Sequence, residues 1–363
     1  MKPVRVAVDL HVVDRPGMEF TGVGRYAVEA TAALACARPE WEIVALTNRT
    51  DLLPASVRLL ATAWPTERAA VRVAWLQTQA ALEIRGLALD AWVGSAFTLP
   101  VWCRSPTLVA IHDLIFLTHR SSYSHWLNAR YATLATKWAA GHSDGIICGT
   151  SATAAQLESV WGVDLDKVSV VPYGVTPQFH DVERHPDPAT ILYVGTIEPR
   201  KGIEHLLDAL EAIRRTLPGA DLVLAGKKGW NVDSMMDRIA GADGVRHVDA
   251  PSDDELVQLY ARATVVVLPS FAEGFGLPVA EAIVVGAPVV CSDLPAIRDW
   301  AGDVPTYVSA GDSMSLGQAV LDILLRGSSS RRTAGERCGL VQALRWSAVG
   351  ERWAEQLARI LDL

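Results

Sequence analysis

The sequence predicts an α/β protein made of two doubly wound, Rossmann-like domains. Short apolar runs alternate with longer amphipathic segments, a pattern typical of parallel strands joined by helices. The alternation stops at residues 178–188, where polar residues and prolines dominate, and then starts again. At 363 residues, the chain is also longer than a single hydrophobic core usually supports. We therefore expect two domains that face each other across a cleft.

The first domain is predicted to span residues 1–178. Its apolar runs indicate buried strands, and its clearest amphipathic segments indicate helices between them. The predicted strands are 4–8, 42–46, 71–74, 91–93, 108–111, 145–148 and 168–171, and the predicted helices are 23–37, 125–140 and 152–161. The polar segment 179–188 is predicted to be the linker to the next domain.

The second domain is predicted to span residues 189–345 and repeats the same rhythm. Its predicted strands are 191–194, 221–225, 245–248, 263–268 and 288–291, and its predicted helices are 202–214, 232–239, 253–261, one beginning near Pro278, and 314–325. Residues 346–363 are expected to form a helix that packs back towards the N-terminal domain. In such sheets, ligands bind beyond the carboxyl ends of the strands.

Composition excludes several classes of protein. With 33 basic and 41 acidic residues, the formal charge of −8 argues against a nucleic-acid-binding or strongly cationic membrane protein. The N-terminus lacks a signal-peptide layout, and no apolar run is long enough to span a membrane. Widely spaced cysteines without a CxxC pair indicate reduced, mostly buried thiols: Cys36, Cys103, Cys148, Cys291 and Cys338. We expect a cytoplasmic protein, or one held peripherally at the inner face of the membrane.

The stretch SFAEGFGLPVAEA, residues 270–282, contains the strongest chemical pattern. It follows a predicted buried strand, and Pro278 suits the first turn of a helix. Gly274 and Gly276 would leave backbone N–H groups open to a ligand, and Glu273 and Glu281 could each accept hydroxyl groups. An ordinary glycine-rich turn followed by a dipole-stabilising glutamate explains the local pattern equally well.

Arg200 and Lys201 follow the first strand of the second domain in the run VGTIEPRKG. Two cations at the start of a helix are suited to binding phosphate. A solvated basic pair is the alternative. We favour phosphate binding because the pair lies at the carboxyl end of a strand.

The first domain offers two further candidates. In TGVGRY, Thr21 is a predicted helix N-cap, and Gly22 and Gly24 could present bare N–H groups, although Ala27 leaves the dinucleotide fingerprint GxGxxG incomplete. His112, with Asp113, ends a predicted strand at the carboxyl edge of the sheet.

Other patterns carry less weight. Asp164 and Asp166 spell DxD but precede a strand, so we interpret them as turn and cap residues. The histidines show no metal-binding spacing, and no metal or cofactor is predicted. Segment 121–142 mixes aromatic and basic residues, as a helix on a lipid surface would. Core packing explains that segment at least as well, and we favour it.

Taken together, the motifs resemble the retaining glycosyltransferases of the GT-B fold that use nucleotide sugars and carry a paired-glutamate motif, a group that includes bacterial mannosyl- and glucosyltransferases. Seven segments match in order: TGVGRY at Thr21, HDLIF at His112, VVPYGV at Val170, LYVGTIEPRKG at Leu192, LVLAGKKGW at Leu222, DELVQLYARA at Asp254 and SFAEGFGLPVAEA at Ser270.

The resemblance implies a role for each matching residue. Glu273 would contact the donor sugar near the reacting centre, and Glu281 would bind the ribose. The amides of Gly274, Phe275 and Gly276 would hold sugar hydroxyls. Arg200 and Lys201 would clamp the diphosphate with the amide of Gly24, and His112 would face the donor sugar. The loop 250–252, which contains Pro251, would hold the base.

The implied reaction moves a hexose, from GDP-mannose or a UDP-hexose, to a hydroxyl of a glycan, lipid-linked or small-molecule acceptor, with retention of configuration and without a metal. First-domain loops 10–20 and 116–124 are expected to recognise the acceptor. Alternatives are an epimerase or a phosphorylase of the same fold, and a non-catalytic protein that binds nucleotide sugars.

Overall fold

The computed structural model describes residues 2–118, 126–326 and 334–363, and it divides them into two compact units. Unit 1 contains residues 2–117, 126–174 and Arg345–Leu363, and unit 2 contains Thr118 and residues 175–326 and 334–344. Each unit is built around one sheet whose paired strands run parallel. The predicted fold class of two parallel α/β domains is therefore confirmed.

Unit 1 has a seven-stranded sheet in the order β3-β2-β1-β4-β5-β6-β7. Its strands are β1 (Arg5–Asp9), β2 (Glu42–Leu46), β3 (Arg58–Leu60), β4 (Ala91–Gly94), β5 (Thr107–Ala110), β6 (Gly145–Cys148) and β7 (Val168–Val170). Its helices are α1 (Gly22–Ala37), α2 (Ala69–Gln77), α3 (Gln79–Glu83), α4 (Ile115–Thr118), α5 (Trp126–His142) and α6 (Ser151–Trp161). The central strands are buried on both faces, as the apolar runs predict.

Unit 2 has a six-stranded sheet in the order β10-β9-β8-β11-β12-β13. The strands are β8 (Thr190–Val194), β9 (Asp221–Ala225), β10 (Val245–Val248), β11 (Val265–Leu268), β12 (Val289–Ser292) and β13 (Thr306–Val308). The helices are α7 (Ile203–Thr216), α8 (Asp233–Gly241), α9 (Asp253–Arg262), α10 (Leu277–Val285), α11 (Pro295–Ala301), α12 (Ser313–Arg326) and α13 (Ala334–Ala343).

The last helix, α14 (Trp346–Ile360), belongs to unit 1 and packs along α1. A Cβ added to Gly350 would lie 2.4 Å from the carbonyl oxygen of Ala33, so the absence of a side chain lets the two helices approach closely. The indole of Trp353, which is fully buried, donates a hydrogen bond of 2.9 Å to the hydroxyl of Tyr26. This packing makes α14 part of the core of unit 1.

Three local predictions differ from the structure. The predicted strand 71–74 lies inside α2, where Trp75 and Leu76 are buried and residues 71–73 are only partly covered. A short apolar run does not by itself distinguish a strand from a helix. The sequence interpretation also missed β3 and β13, which are three-residue edge strands with exposed first residues and little apolar patterning.

The predicted linker 179–188 is tied to unit 2, and the units divide between Gly174 and Val175. Phe179 is buried against the ring of Tyr260. The guanidinium of Arg184 donates to the carbonyl oxygens of Ala263 and Gly286, at 2.6 and 3.1 Å. The segment that was predicted to be the linker is therefore attached to unit 2 by hydrogen bonds and by the packing of Phe179.

Helix α5 covers part of the segment that the sequence assigned to core packing. Trp138 packs against the core of unit 1 and stacks on His142, whereas Tyr131 and Leu134 are exposed. The side chain of Trp126 lies outside the described part of the chain. Among the described helices, we find none with the length and apolar character needed to cross a bilayer.

The cysteines are less uniformly buried than predicted. Cys148 and Cys291 are buried and Cys103 is partly covered, but Cys36 is exposed on α1. These four thiols are free.

The packing of α14 on α1 generates the first prediction. Gly350→Ala should lower the free energy of unfolding by about 1–3 kcal/mol, because the new methyl group would overlap the backbone of Ala33. Gly141→Ala is the matched control, since a Cβ there meets nothing within 4 Å. It should leave stability unchanged or raise it by up to about 1 kcal/mol. Denaturant unfolding measures both, and equal effects would contradict the close approach of the helices.

Candidate functional site

The candidate site lies where the two central strands of unit 2 end. β8 and β11 are neighbours in the sheet, but β8 leads through α7 to β9 on one side, and β11 leads through α10 to β12 on the other. The connections therefore leave in opposite directions, which opens a crevice at the carboxyl edge, where ligands of such sheets bind. The structure brings Arg200, Lys201 and Glu273 together at this point.

The turn after β8 carries the two cations. Residues Pro199–Lys201 form a single 3-10 turn, and the helix begins only at Ile203. Gly202, between them, has a φ of +66° and would place a Cβ 2.2 Å from the carbonyl oxygen of Pro269. The backbone N–H of Phe271 donates to the carbonyl oxygen of Arg200 at 2.9 Å. The basic turn is therefore fastened against the loop that follows β11.

The loop after β11 is held from behind by α11. The ring of Phe275 is buried and stacks on Trp300, with ring centroids 4.7 Å apart, and the indole of Trp300 donates to the Phe275 carbonyl oxygen. Gly276 supplies the left-handed residue, with a φ of +87°, that starts α10. Within the described residues, the N–H of Gly274 has no hydrogen-bond partner. This loop can therefore offer a backbone donor, while the side chain of Phe275 packs inward.

Two carboxylates neutralise the two cations. The Lys201 ammonium donates to Oε1 of Glu273 at 2.7 Å, and the Ser270 hydroxyl donates to the same oxygen at 2.6 Å. Nη1 of Arg200 lies 3.6 Å from Oε2 of Glu273 and donates to the carbonyl oxygen of Ala272 at 2.7 Å. Nη2 of Arg200 donates to Glu198. The exposed fractions of these side chains are only 11 % for Lys201, 17 % for Arg200, 8 % for Glu273 and 4 % for Glu198.

The carboxyl of Glu273 is charged in this setting. Burial raises its pKa, but the opposing effects of Lys201 and Arg200, together with the hydrogen bonds from Lys201 and Ser270, outweigh burial and lower the pKa below its usual value. The site therefore holds two positive and two negative charges and is close to neutral overall. An anionic ligand that takes either cation therefore leaves a buried carboxylate in need of another partner.

Glu198 is a member of the charged cluster that the sequence interpretation missed. Glu198 is buried and lies in the turn after β8. The loop after β9 contacts this turn, because the N–H of Gly229 donates to the Ile197 carbonyl oxygen at 2.9 Å. A usable signal was present, since an acidic residue stood two positions before Arg200 at the carboxyl end of a strand. Its role as the partner of Arg200 depends on the turn conformation, which the pattern did not specify.

Glu281 lies in the second turn of α10 and is buried. Its Oε2 accepts a hydrogen bond of 2.6 Å from the hydroxyl of Tyr260, which is on α9. That bond orients the carboxylate at the N-terminal part of α10, and it adds Tyr260 to the residues around the site.

Pro251 lies in the loop after β10, also at the carboxyl edge of the sheet, and is partly covered. The next residue, Ser252, caps α9 and exchanges hydrogen bonds with Glu255 in a capping box. The loop that was predicted to hold a base is therefore fixed at its C-terminal end.

Gly24 lies in the first turn of α1 in unit 1. Thr21 is the N-cap, as predicted, and its hydroxyl accepts the N–H of Gly24 at 3.1 Å. A Cβ added to Gly24 would lie 1.9 Å from the carbonyl oxygen of Met18. The glycine is therefore required by the close approach of the loop before α1, and its N–H already has a protein partner.

His112 is buried in unit 1, beyond the end of β5, and both its ring nitrogens have protein partners. Nε2 lies 3.0 Å from the carbonyl oxygen of Ser95, and Nδ1 contacts the hydroxyl of Tyr173. Burial lowers the pKa of His112 to about 4, against a smaller opposing effect of the Ser95 carbonyl. The imidazole is therefore neutral, with Nε2–H donating to Ser95 and Nδ1 accepting from Tyr173.

The loops that were predicted to recognise an acceptor are only partly described. In the loop after β1, the buried ring of His11 packs on Trp75, and its Nδ1 lies 3.0 Å from a carboxylate oxygen of Asp9. Asp14 is buried and accepts hydrogen bonds from Thr47 and the backbone of Asn48. Of the second loop, 116–124, residues 119–124 lie outside the described residues.

Asp164 and Asp166 take the structural role that the sequence indicated. The carboxylate of Asp164 accepts the N–H of Asp166 at 3.0 Å and caps a 3-10 turn before β7. In residues 2–118, 126–326 and 334–363, no group of three His, Cys, Asp or Glu side chains is arranged to hold a metal ion.

Comparisons with known proteins match both halves of the chain. A model described as Glycosyltransferase Family 4 matches residues 20–179, and one described as Glycosyl transferases group 1 matches residues 175–337. The solved structure of sucrose-phosphate synthase from Thermosynechococcus elongatus is similar over 99 % of each chain, with a TM-score of 0.78 and 19 % identity. The two models together match residues 20–337, and the structural similarity shows that the chain has the GT-B fold.

Two further proteins resemble this GT-B chain. The structure of Anabaena HepE in complex with UDP and glucose has a TM-score of 0.69 and 15 % identity, covering 98 % of this chain and 100 % of that one. The O-antigen chain mannosyltransferase B of Escherichia coli is 37 % identical over 160 residues, which are 43 % of this chain and 42 % of that relative. The GT-B chain thus matches less than half the length of this curated relative.

The buried imidazole of His112 generates the second prediction. Its NMR signal should titrate near pH 4, and the variant His112→Gln should lack that signal. Because the folded pKa is depressed, the stabilising contribution of a neutral His112 is complete above pH 6.5 and is lost as the pH falls from 6.5 towards 4. The loss is about 3 kcal/mol in total. Titration near pH 6.5 would show that the ring is not held as the structure places it.

Proposed function

We propose that this chain is a retaining glycosyltransferase that moves a hexose from a nucleoside-diphosphate sugar to a hydroxyl of an acceptor. The supporting observation is the cluster at the β8 and β11 carboxyl ends, where Arg200 and Lys201 contact Glu273 beside the loop amide of Gly274. Two cations suit a diphosphate, while a carboxylate and a backbone N–H suit sugar hydroxyls.

The donor is proposed to bind along the carboxyl edge of the unit 2 sheet. Its diphosphate lies at Arg200 and Lys201, its sugar at Glu273 and the Gly274–Gly276 loop, its ribose at Glu281, and its base near Pro251. Glu281 supports this assignment because Tyr260 orients its carboxylate at the N-terminal part of α10. We propose GDP-mannose or a UDP-hexose as the donor. The similarity to a mannosyltransferase supports the first, and the fold shared with a structure that contains UDP and glucose is compatible with the second.

The proposed chemistry rests on charge stabilisation. As the bond to the anomeric carbon breaks, negative charge grows on the β-phosphate, and Arg200 and Lys201 stabilise it without a metal. The carboxylate of Glu273 stays ionised, because the two cations lower its pKa, and it favours the positive charge that develops on the sugar. The acceptor hydroxyl attacks from the face of the leaving group and gives its proton to the departing phosphate, so the anomeric configuration is retained.

The acceptor is proposed to be a glycan, a lipid-linked sugar or a small molecule bound by unit 1. Gly24 and His112 were expected to reach the donor phosphates and sugar. In the structure the N–H of Gly24 and both ring nitrogens of His112 have protein partners. A direct contact of either with the donor would therefore require these hydrogen bonds to be exchanged.

Two alternatives share the same cluster. An epimerase or a phosphorylase of this fold would also bind nucleotide or sugar phosphate, and a non-catalytic protein would bind the donor without turnover. A glycosyltransferase releases nucleoside diphosphate rapidly only when an acceptor is supplied, which separates it from both. A thermal-shift panel of nucleotides and nucleotide sugars identifies the donor first, because a ligand of the native state raises its stability according to its affinity.

Loss of Lys201 generates the third prediction. Lys201→Ala should lower kcat/KM with the identified donor by about 100-fold or more, since one charge that stabilises the leaving phosphate is removed. Lys228→Ala is the control, because Lys228 is exposed and pairs with the exposed Asp233 at 2.7 Å. The control should stay within about twofold of the wild type. Near wild-type turnover of a folded Lys201→Ala variant would show that Lys201 does not stabilise the diphosphate of the donor.

Product stereochemistry generates the fourth prediction. NMR of the isolated product should show the same anomeric configuration as the donor, because attack is proposed from the face of the leaving group. An inverted linkage would reject retention while leaving the donor site itself intact.

A further inference from the structure

We propose that Glu273 competes with the diphosphate for Lys201, so that the site weakens its own hold on nucleoside diphosphate and favours the complete nucleotide sugar. This inference rests on the proposed function and deepens it. It adds to the sugar contact of Glu273 a second role in releasing the product nucleotide.

The ion-pair geometry is the first support. Oε1 of Glu273 receives both the Lys201 ammonium at 2.7 Å and the Ser270 hydroxyl at 2.6 Å. The Lys201 side chain is 11 % exposed, so its charge is directed to this one carboxylate rather than to solvent. A phosphate that binds Lys201 must therefore either displace the carboxylate of Glu273 from the ammonium or share the ammonium with it.

The charge balance is the second support. Arg200 is held in the same way, by Glu198, by the carbonyl oxygen of Ala272 and by the nearby Glu273. The two cations and two carboxylates sum to zero, so an incoming diphosphate meets a neutral cluster rather than a positive one. Buried charges of like sign that are a few ångströms apart repel strongly. Glu273 therefore opposes the binding of a bare diphosphate.

The sugar changes this balance. A hexose brings hydroxyl donors that can satisfy the oxygens of Glu273 once Lys201 and Ser270 turn away from it. A nucleoside diphosphate offers no such donors in the sugar position, so the Glu273 carboxylate stays without a hydrogen-bond donor there and repels the phosphate. After transfer, loss of the sugar would restore the ion pair and expel the nucleotide.

The test measures nucleotide affinity in variants that differ by one charge. Glu273→Gln keeps the size of the side chain but removes its charge, and calorimetric titration with UDP and GDP should show about tenfold tighter binding of the cognate nucleotide than in the wild type. Sugar transfer by the same variant should fall, because the carboxylate also serves the sugar. Tighter product binding together with slower turnover is not expected from a merely damaged site.

Glu204→Gln is the matched control, because Glu204 lies in the first turn of α7 and is exposed. This substitution removes a negative charge at the N-terminus of α7, the helix that follows Arg200 and Lys201, and it leaves both of those cations in place. Nucleotide affinity should change by less than about twofold, since solvent screens an exposed charge.

A double-variant cycle locates the effect. In a Lys201→Ala background, adding Glu273→Gln should raise the affinity for the nucleotide by less than about threefold, because the cation for which the carboxylate competes is gone. If Glu273→Gln does not fold, Glu273→Asp is the second variant, because the shorter side chain keeps the charge but moves it away from Lys201. Glu273→Asp should bind nucleotide more tightly than the wild type, but by less than about tenfold.

The outcomes separate this inference from the proposed function. Tighter nucleotide binding by Glu273→Gln, with a smaller gain in the Lys201→Ala background, supports the competition. An active wild type whose Glu273→Gln and Glu273→Asp variants bind nucleotide no more tightly overturns the competition alone. A wild type that binds neither nucleotide nor nucleotide sugar overturns the proposed function, and the competition with it.

Discussion

The ion pair between Lys201 and Glu273 is the interaction on which the rest of the site depends. It joins the turn after β8 to the loop after β11, two segments that are 72 residues apart in the sequence. Removing one partner of such a buried pair leaves an uncompensated charge, which usually costs several kcal/mol. The surrounding features serve this contact: Gly202 allows the two segments to touch, Ser270 holds the carboxylate, and Arg200 bridges to the Ala272 backbone. The pair therefore sets both the shape and the charge of the cluster.

Much of this architecture follows from the sequence. Buried parallel strands are continuous apolar runs, so β8 and β11 were recognisable, and the residues after them had to lie at one edge of the sheet. The sequence thus placed Arg200, Lys201 and Glu273 near one another. It did not reveal that they pair in this structure, because that depends on the angle at Gly202 and on the depth of burial, neither of which is encoded in a local pattern.

The differences between prediction and structure have a common physical origin, since each depends on a backbone conformation or a packing contact that a local sequence pattern does not specify. Residues 71–74 read as a strand because only the burial of Trp75 and Leu76 reveals the helix. Glu198 was passed over because its partner lies within a turn of unpredicted shape. His112 was correctly placed at the end of a strand, but its partners Ser95 and Tyr173 come from separate loops. Gly24 was interpreted as an open amide, whereas the backbone of Met18 requires the glycine.

The position of α14 has a consequence for how the protein folds during its synthesis. Unit 1 is assembled from both the first and the last parts of the described chain, whereas unit 2 lies between them. On a ribosome, unit 2 is therefore complete while α1 still lacks the helix that buries Tyr26 and Ala33. Within residues 2–363, the last segment of unit 1 is made after all of unit 2, and until then the α14-facing side of α1 exposes apolar surface that a chaperone or a neighbouring chain can bind.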